Sequence, residues 1–383
     1  MDVDSLAPWA IKKGIDVLGT GDFTHPEYLA LLKSKLEPSG NGLFTLKGKS
    51  APHFILTAEV SNIFSSGGKV RRIHNCIFAP SFDVVDKINK ELGKRGNVRS
   101  DGRPIFGFSA KELLEIVLDA SEDCLLMPAH VWTPWFSLFG SKSGFDSIEE
   151  CFGDLSKHIK AIETGLSSDP EMNWRISWLD NITLLSNSDA HSPSKIGREA
   201  NVFECERDYW EIMKIIRGKD RDKFLYTIEF YPEEGKYHSD GHKSCGVVLA
   251  PQDSKKNNNL CPKCGKPLTI GVLHRVEELA DRSEGFVPEG AVPSRHLVPL
   301  EEIISSALQV GVKSKKVSRE YEKIVNAGGS EFNVLLDLAF EALKTISHPM
   351  VAEGIIAARE GRLNITPGYD GVFGKIEIPR FLV

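Results

Sequence analysis

Six short apolar runs in this chain end, or nearly end, in a carboxylate or an imidazole. GTGDFTH places Asp22 and His25 after the first run, FILTAE ends in Glu59, and VRRIHN carries His74. LLMPAH ends in His130, HIKAIE in Glu163, and ITLLSNSDAH in Asp189 and His191. Imidazoles and carboxylates brought together suit divalent Zn, Mn or Fe. Two or three such ions about 4 Å apart polarise a phosphate and activate a water. Each residue alone has an ordinary reading: a strand-end histidine as a surface or satisfied core group, Glu59 as a helix cap. The recurrence, and above all the D-x-H pair of NSDAH, points to a metal centre.

A second constellation differs in character. His242 and Cys245 are three apart, Cys261 and Cys264 form C-x-x-C with Pro262 and Gly265 shaping a tight turn, and 15 residues separate the two pairs. This is the spacing of a structural zinc site. Such a site holds together a segment too polar to build its own core. His238 is an alternative to His242 as the fourth ligand. Cys76, Cys124, Cys151 and Cys205 are scattered among apolar neighbours and read as buried thiols.

These groups need elements to position them. Asp4 to Lys13 reads as a helix stopped by Gly14, Ile15 to Leu18 as a strand, and Pro26 to Leu36 as a helix. Phe54 to Val60 and Val70 to Phe78 are strand-like, and Phe82 to Leu92 and Ala110 to Ala120 are amphipathic at helical spacing. Leu125 to Met127, Ile159 to Ile162 and Ile182 to Leu185 are short apolar strands. The alternation predicts parallel strands with crossover helices, in an α/β barrel or a doubly wound sheet. In a barrel the carboxyl ends of the strands share one mouth, which would gather the strand-end groups. Composition shifts near Tyr231: the chain is polar from Pro232 to Asn259, mostly helical after Pro267, and glycine-rich then strand-like in PGYDGVFGKIEI. The expected domains are 1–231, 232–270 and 271–383.

The 383 residues carry a net charge of −6, so any nucleic-acid contact must come from local patches rather than from a basic chain. No apolar run approaches the length of a membrane span, and the N-terminus has no apolar signal core; the expected location is cytoplasmic.

The strings GTGDFTHP, AEVSNIF, RRIHN, PAHVWTPW, AIETGLSSDP and NSDAHSP resemble the PHP (polymerase and histidinol phosphatase) metallo-phosphoesterase superfamily. With GHKSCGV, CPKCGKPLTIGVLHRVEELADR and PGYDGVFGKI the chain resembles the endonuclease Q family over nearly its whole length. The resemblance implies a distorted PHP-type α/β barrel with a trinuclear metal centre, a small zinc-binding segment and a C-terminal helical DNA-binding domain. It implies nicking of DNA 5′ to deaminated bases (uracil, hypoxanthine, xanthine) and abasic sites, with Zn, Mn or Mg at the centre. By motif, Glu59 would bridge two metals, Asp189 would complete the first site, His74 and His130 the second. His25 and His191 would belong to the third, with Asp22 as ligand or orienter. Asp22, Glu59 and Asp189 are thus the expected catalytic carboxylates. Glu163 fits no ligand role and is expected to support the others.

The chain departs from the superfamily in one respect: it has no H-x-H, the motif that opens PHP proteins on their first strand. The expectation is an N-terminally truncated sequence, with the barrel short of one strand. An upstream frame encoding something like D-x-H-x-H would support it. Lys69, Arg71 and Arg72 beside His74, and Lys313, Lys315 and Lys316 after a glycine, are candidate phosphate contacts. Base flipping requires aromatic surfaces; Trp132, Trp135 and Phe136 follow His130, and Tyr369 lies in the PGYDG turn. A sliding clamp is a candidate partner of the helical tail. Two rival readings are a phosphoesterase acting on a small monoester, and a lesion-DNA binder without catalysis.

Overall fold

The computed structural model describes residues 1–100 and 102–379. In chain order, α1 (Val3–Lys13) leads through β1 (Val17–Gly19) to α2 (Pro26–Lys35), a hairpin of β2 (Leu36–Gly40) and β3 (Leu43–Leu46), and a long hairpin of β4 (His53–Ser66) and β5 (Lys69–Ala79). Then come α3 (Phe82–Arg95), β6 (Ile105–Phe106), α4 (Ala110–Ala120), β7 (Leu125–Pro128), α5 (Ile148–Phe152), β8 (Ala161–Glu163), α6 (Pro170–Asn173) and β9 (Thr183–Leu185). Local chemistry explains the helices. Asp2 and Ser5 form a capping box on α1, and Gly14 ends it in the left-handed conformation at φ 85°. Ser109 and Glu112 box the start of α4, which buries Leu113, Leu114, Ile116 and Val117. Each such side chain contributes about 1.5–3 kcal/mol by burial.

The fold is mixed α/β, but its main sheet is not the parallel one that the alternation suggests. Strand order is β2-β3-β4-β5-β7, all antiparallel, with β1 and β6 pairing β4 in parallel. The physical reason lies in two turns. Gly67 and Gly68, at φ 59° and 73°, and Asn41 and Gly42, at φ 57° and 71°, are two-residue hairpin loops of the kind whose twist matches flanking strands. Each sends the chain straight back, so its flanking strands pair antiparallel. β8 and β9 form a parallel pair beyond this sheet.

A second small sheet contains β10 (Ala200–Phe203) and β11 (Phe224–Glu229), joined by α7 (Tyr209–Gly218). The polar segment follows: β12 (Asp240–His242), β13 (Val247–Leu249) and α8 (Pro251–Lys256). Its core is only Val247, Cys261 and Leu268. Next, α9 (Val272–Leu279) and β14 (Ser294–His296) return to the first body: Val272 and Val276 enter its core, and β14 pairs with β11 in parallel. A helical core built mainly from α10 (Leu300–Leu308), α11 (Lys315–Gly328), α12 (Phe340–Ile346) and α13 (Pro349–Arg359) also takes in Ile228 and Tyr231 from the second small sheet and the loop after it. α1 docks onto it. Lys13 meets Glu331 at 2.6 Å with both side chains at most 6% exposed, and Glu331 also accepts from the Tyr321 hydroxyl and the Leu300 N–H. Among the described residues no helix is long and apolar enough to cross a membrane.

Candidate metal centre and nucleic-acid surface

Glu59 and His74 face each other diagonally across the long hairpin, because Glu59 pairs with Cys76 and Ser61 with His74. His130, just past β7, completes a triangle. Glu59 Oε1 lies 3.2 Å from His74 Nδ1 and 3.4 Å from His130 Nε2, and the two nitrogens are 3.1 Å apart. A tetrahedral ion with bonds of about 2.0–2.1 Å holds its ligand atoms about 3.3 Å apart. Glu59 Oε1 is buried without a well-aligned hydrogen bond. Burial alone would raise the Glu59 pKa; the adjoining His130 and His74 and the Arg103 charge override it and hold the carboxyl well below its usual range. Burial lowers His74 to about 4, so its ring is neutral and free to ligate near neutral pH. The three donors fit a divalent cation.

The supporting groups are specific. The His130 N–H donates to Glu163 Oε2 at 2.7 Å, and Asn187 donates to Glu163 Oε1 at 2.9 Å. Thr133 Oγ1 sits 3.2 Å from His130 Nδ1, leaving Nε2 for the triangle. Burial pushes Glu163 up to about 7. Gly165 packs beneath: a Cβ there would stand 2.5 Å from the His130 Cβ. Asp22, His130 and Asp189 all have left-handed backbones, at φ 45°, 31° and 41°. Such conformations cost non-glycine residues of order 1 kcal/mol or more and concentrate at functional sites.

Asp22, Asp189 and His191 join Glu59, His130 and Glu163 in lining one cavity of about 930 Å³, but stand outside the triangle. His25 caps α2, its Nδ1 3.5 Å from the Tyr28 N–H. His191 is largely exposed and bonds the Asp189 carbonyl at 2.9 Å. Sequence reasoning missed Arg103, whose Nη2 lies 2.6 Å from Glu59 Oε2 and 3.8 Å from Asp189 Oδ1. It comes from the loop SDGRP, which carries a turn signal but no periodicity and no metal-ligand spacing.

In the polar segment His242, Cys245, Cys261 and Cys264 bring ligand atoms within 4.8 Å of one another, with His242 Nδ1 3.5 Å from Cys264 Sγ. His238 is buried elsewhere, beneath the Glu233 and Asp169 charges. Of the candidate DNA contacts, Lys69, Lys313, Lys315 and Lys316 are exposed, the last two opening α11. Arg71 lies 4.1 Å over the Phe145 ring and donates to the Gly144 carbonyl; Arg72 lies over Phe136. Trp132 is fully buried with its N–H donated to Asn173, so it is a core residue rather than a base platform. Trp135 is 37% exposed against Tyr237. Tyr369 is half-buried and packed on Gly241.

The structure is a mixed α/β body with a carboxylate–imidazole triangle and a thiolate–imidazole cluster that could each hold a metal ion, and a helical C-terminal region. The crystal structure of a lesion-specific endonuclease from Pyrococcus furiosus, PfuEndoQ, superposes with a TM-score of 0.87 and 34% identity, covering 99% of this chain and 91% of that one. An endonuclease Q complex with a 27-mer duplex bearing an abasic lesion matches at TM-score 0.86 and 35% identity, over 99% and 92%. YqxK of Bacillus subtilis is 31% identical over 375 residues, 95% of this chain and 89% of YqxK. MJ0043 of Methanocaldococcus jannaschii is 38% identical over 253 residues, 64% of this chain but only 31% of that protein. The MJ0043 C-terminal domain family matches residues 299–362. The chain belongs to the endonuclease Q family. The likeness supports a DNA-repair endonuclease acting on damaged DNA.

Proposed function

We propose that this chain is a metal-dependent endonuclease that cuts the phosphodiester on the 5′ side of deaminated bases (uracil, hypoxanthine, xanthine) and of abasic sites. The observation that carries the reading is the Glu59–His74–His130 triangle in a chain this similar to a lesion-specific endonuclease. Glu59, His74 and His130 would hold one divalent ion, with Asp22, Asp189 and the largely exposed His191 on the same cavity, while His25 is engaged as the cap of α2. A bound ion of this class polarises a phosphoryl oxygen and lowers the pKa of water. The residues themselves do the positioning: Glu163 fixes the His130 backbone and Thr133 its tautomer. His242, Cys245, Cys261 and Cys264 would hold a structural zinc. Lys69, Arg72, Lys313, Lys315 and Lys316 supply phosphate contacts, and Trp135 an aromatic surface for an unstacked base.

The test is nicking of an end-labelled duplex with a single uracil or hypoxanthine, beside an undamaged control, with Mg, Mn or Zn. The expected result is a nick 5′ of the lesion only, lost in Glu59→Gln. Uncut DNA under every metal, or cutting without regard to the lesion, refutes the reading.

A further inference from the structure

Arg103 stands on a loop between α3 and β6, outside any helix or strand. Gly102 before it is at φ 77° with open space around its Cβ position. The guanidinium is 27% exposed and lines the same cavity as Glu59 and Asp189. Among the described residues one of its arms reaches those carboxylates: Nη2 is 2.6 Å from Glu59 Oε2 and 3.8 Å from Asp189 Oδ1, while Nε is buried without an acceptor among them. An arginine fork is built for bidentate contact with carboxylate or phosphate, and this one is engaged through a single corner.

We infer that Arg103 is an exchangeable cation: it competes with a divalent ion for Glu59 and Asp189, and, released from them, it grips the phosphate to be cut. The inference rests on the proposed nuclease reading for its second half. The first half follows from charge alone. Glu59 turns Oε1 to the triangle, and its Oε2 cannot be given fully to a second dication while it accepts from the Arg103 guanidinium 2.6 Å away. A cation freed at this wall of the cavity faces the space where a phosphodiester must lie to reach the triangle, and its planar fork then matches two phosphate oxygens.

One substitution should therefore move two measurements in opposite directions. Mn(II) binding to metal-stripped protein is titrated by the EPR signal of free Mn(II), and nicking of a uracil duplex is followed in parallel. Arg103→Met is expected to tighten Mn(II) about 10-fold, because a competitor is gone, and to slow nicking by about 100-fold or more, the scale of losing one charge-stabilising donor. Arg103→Lys keeps the charge but not the fork: Mn(II) affinity should stay near wild type while nicking falls. Unchanged or weaker Mn(II) binding in Arg103→Met overturns the competition, and undiminished nicking overturns the phosphate contact. A merely structural arginine would weaken both. If the wild type itself fails to nick, the nuclease reading falls, and the Mn(II) arm still decides the competition. Thermal melting of both variants checks folding, with Arg103→Lys retaining the test if the methionine variant melts early.

Discussion

Lys13→Met should destabilise the protein by about 3–5 kcal/mol, the penalty for removing one partner of a buried ion pair. The structure sets the terms. Lys13 Nζ is 2.6 Å from Glu331 Oε2, and the side chains are 6% and 4% exposed. At an effective dielectric of about 20 the attraction at this separation is about 6 kcal/mol. The variant loses that attraction and leaves the carboxylate with two neutral donors, the Tyr321 hydroxyl at 2.6 Å and the Leu300 N–H at 3.2 Å. The urea midpoint, with exchange protection of α1 and α11 followed by mass spectrometry, reads the loss. Lys13→Met combined with Glu331→Gln removes the orphaned charge, keeps an acceptor for one donor, and should recover most of the stability. A single variant that loses less than about 1 kcal/mol, or a double variant no better than the single, refutes the argument that an unpaired buried charge is what hurts.

Three shorter expectations follow from other features. Stripping metal from the polar segment, or Cys261→Ser, should abolish amide protection across 240–270 while β4 and β5 stay protected. Val247, Cys261 and Leu268 are too few to hold that segment, whereas structural zinc supplies about 10–16 kcal/mol in small modules; unchanged protection would falsify the zinc assignment. In metal-free protein, Glu163 should contribute a loss of stability as pH rises from about 4.5 towards 7, against the opposite contribution of His74, which burial lowers. Burial raises Glu163 to about 7, so the unfolded chain loses that proton first, and the stability this group contributes is full below about 4.5 and lost as pH passes about 7. The loss is worth about 3 kcal/mol; Glu163→Gln should remove that share of the slope in urea titrations, while Glu199, Glu229 and Glu234, also raised by burial, and His74, lowered by it, keep their own shares. Finally, Gly165→Ala should lower melting temperature and weaken metal binding together, because its Cβ would press on His130 from 2.5 Å at a backbone φ of 64°; a change in only one of the two would separate packing from ligand placement.

The helices were legible because their ends are written locally: the Asp2 and Ser109 caps and the Gly14 stop lie within three residues of what they control. Strand pairing was not, although the Asn41-Gly42 and Gly67-Gly68 loops were hairpin signals available to be read. The apolar alternation says nothing of these loops, so taken alone it leaves the antiparallel sheet unforeseen. At the centre, Glu59, His74 and His130 could be listed together because each ends an apolar run. That His25 caps a helix and His191 points outward depends on the path of the loops, which residue type does not encode. Trp132 and Trp135 are three positions apart and look alike on paper, yet one is core and one is surface. Arg103 was invisible for the opposite reason: its importance comes entirely from the carboxylates 44 and 86 positions away that its loop happens to meet.

The left-handed backbones of Asp22, His130 and Asp189 bear on how this protein would evolve under pressure for robustness alone. Glycine adopts those angles without strain, so a laboratory selection for heat tolerance, blind to activity, has a reason to discard the side chains that face the cavity. The survivors would be sturdier and inert. Chains that keep a carboxylate or imidazole at all three positions carry, in their backbone angles, a record of selection for chemistry over ease of folding.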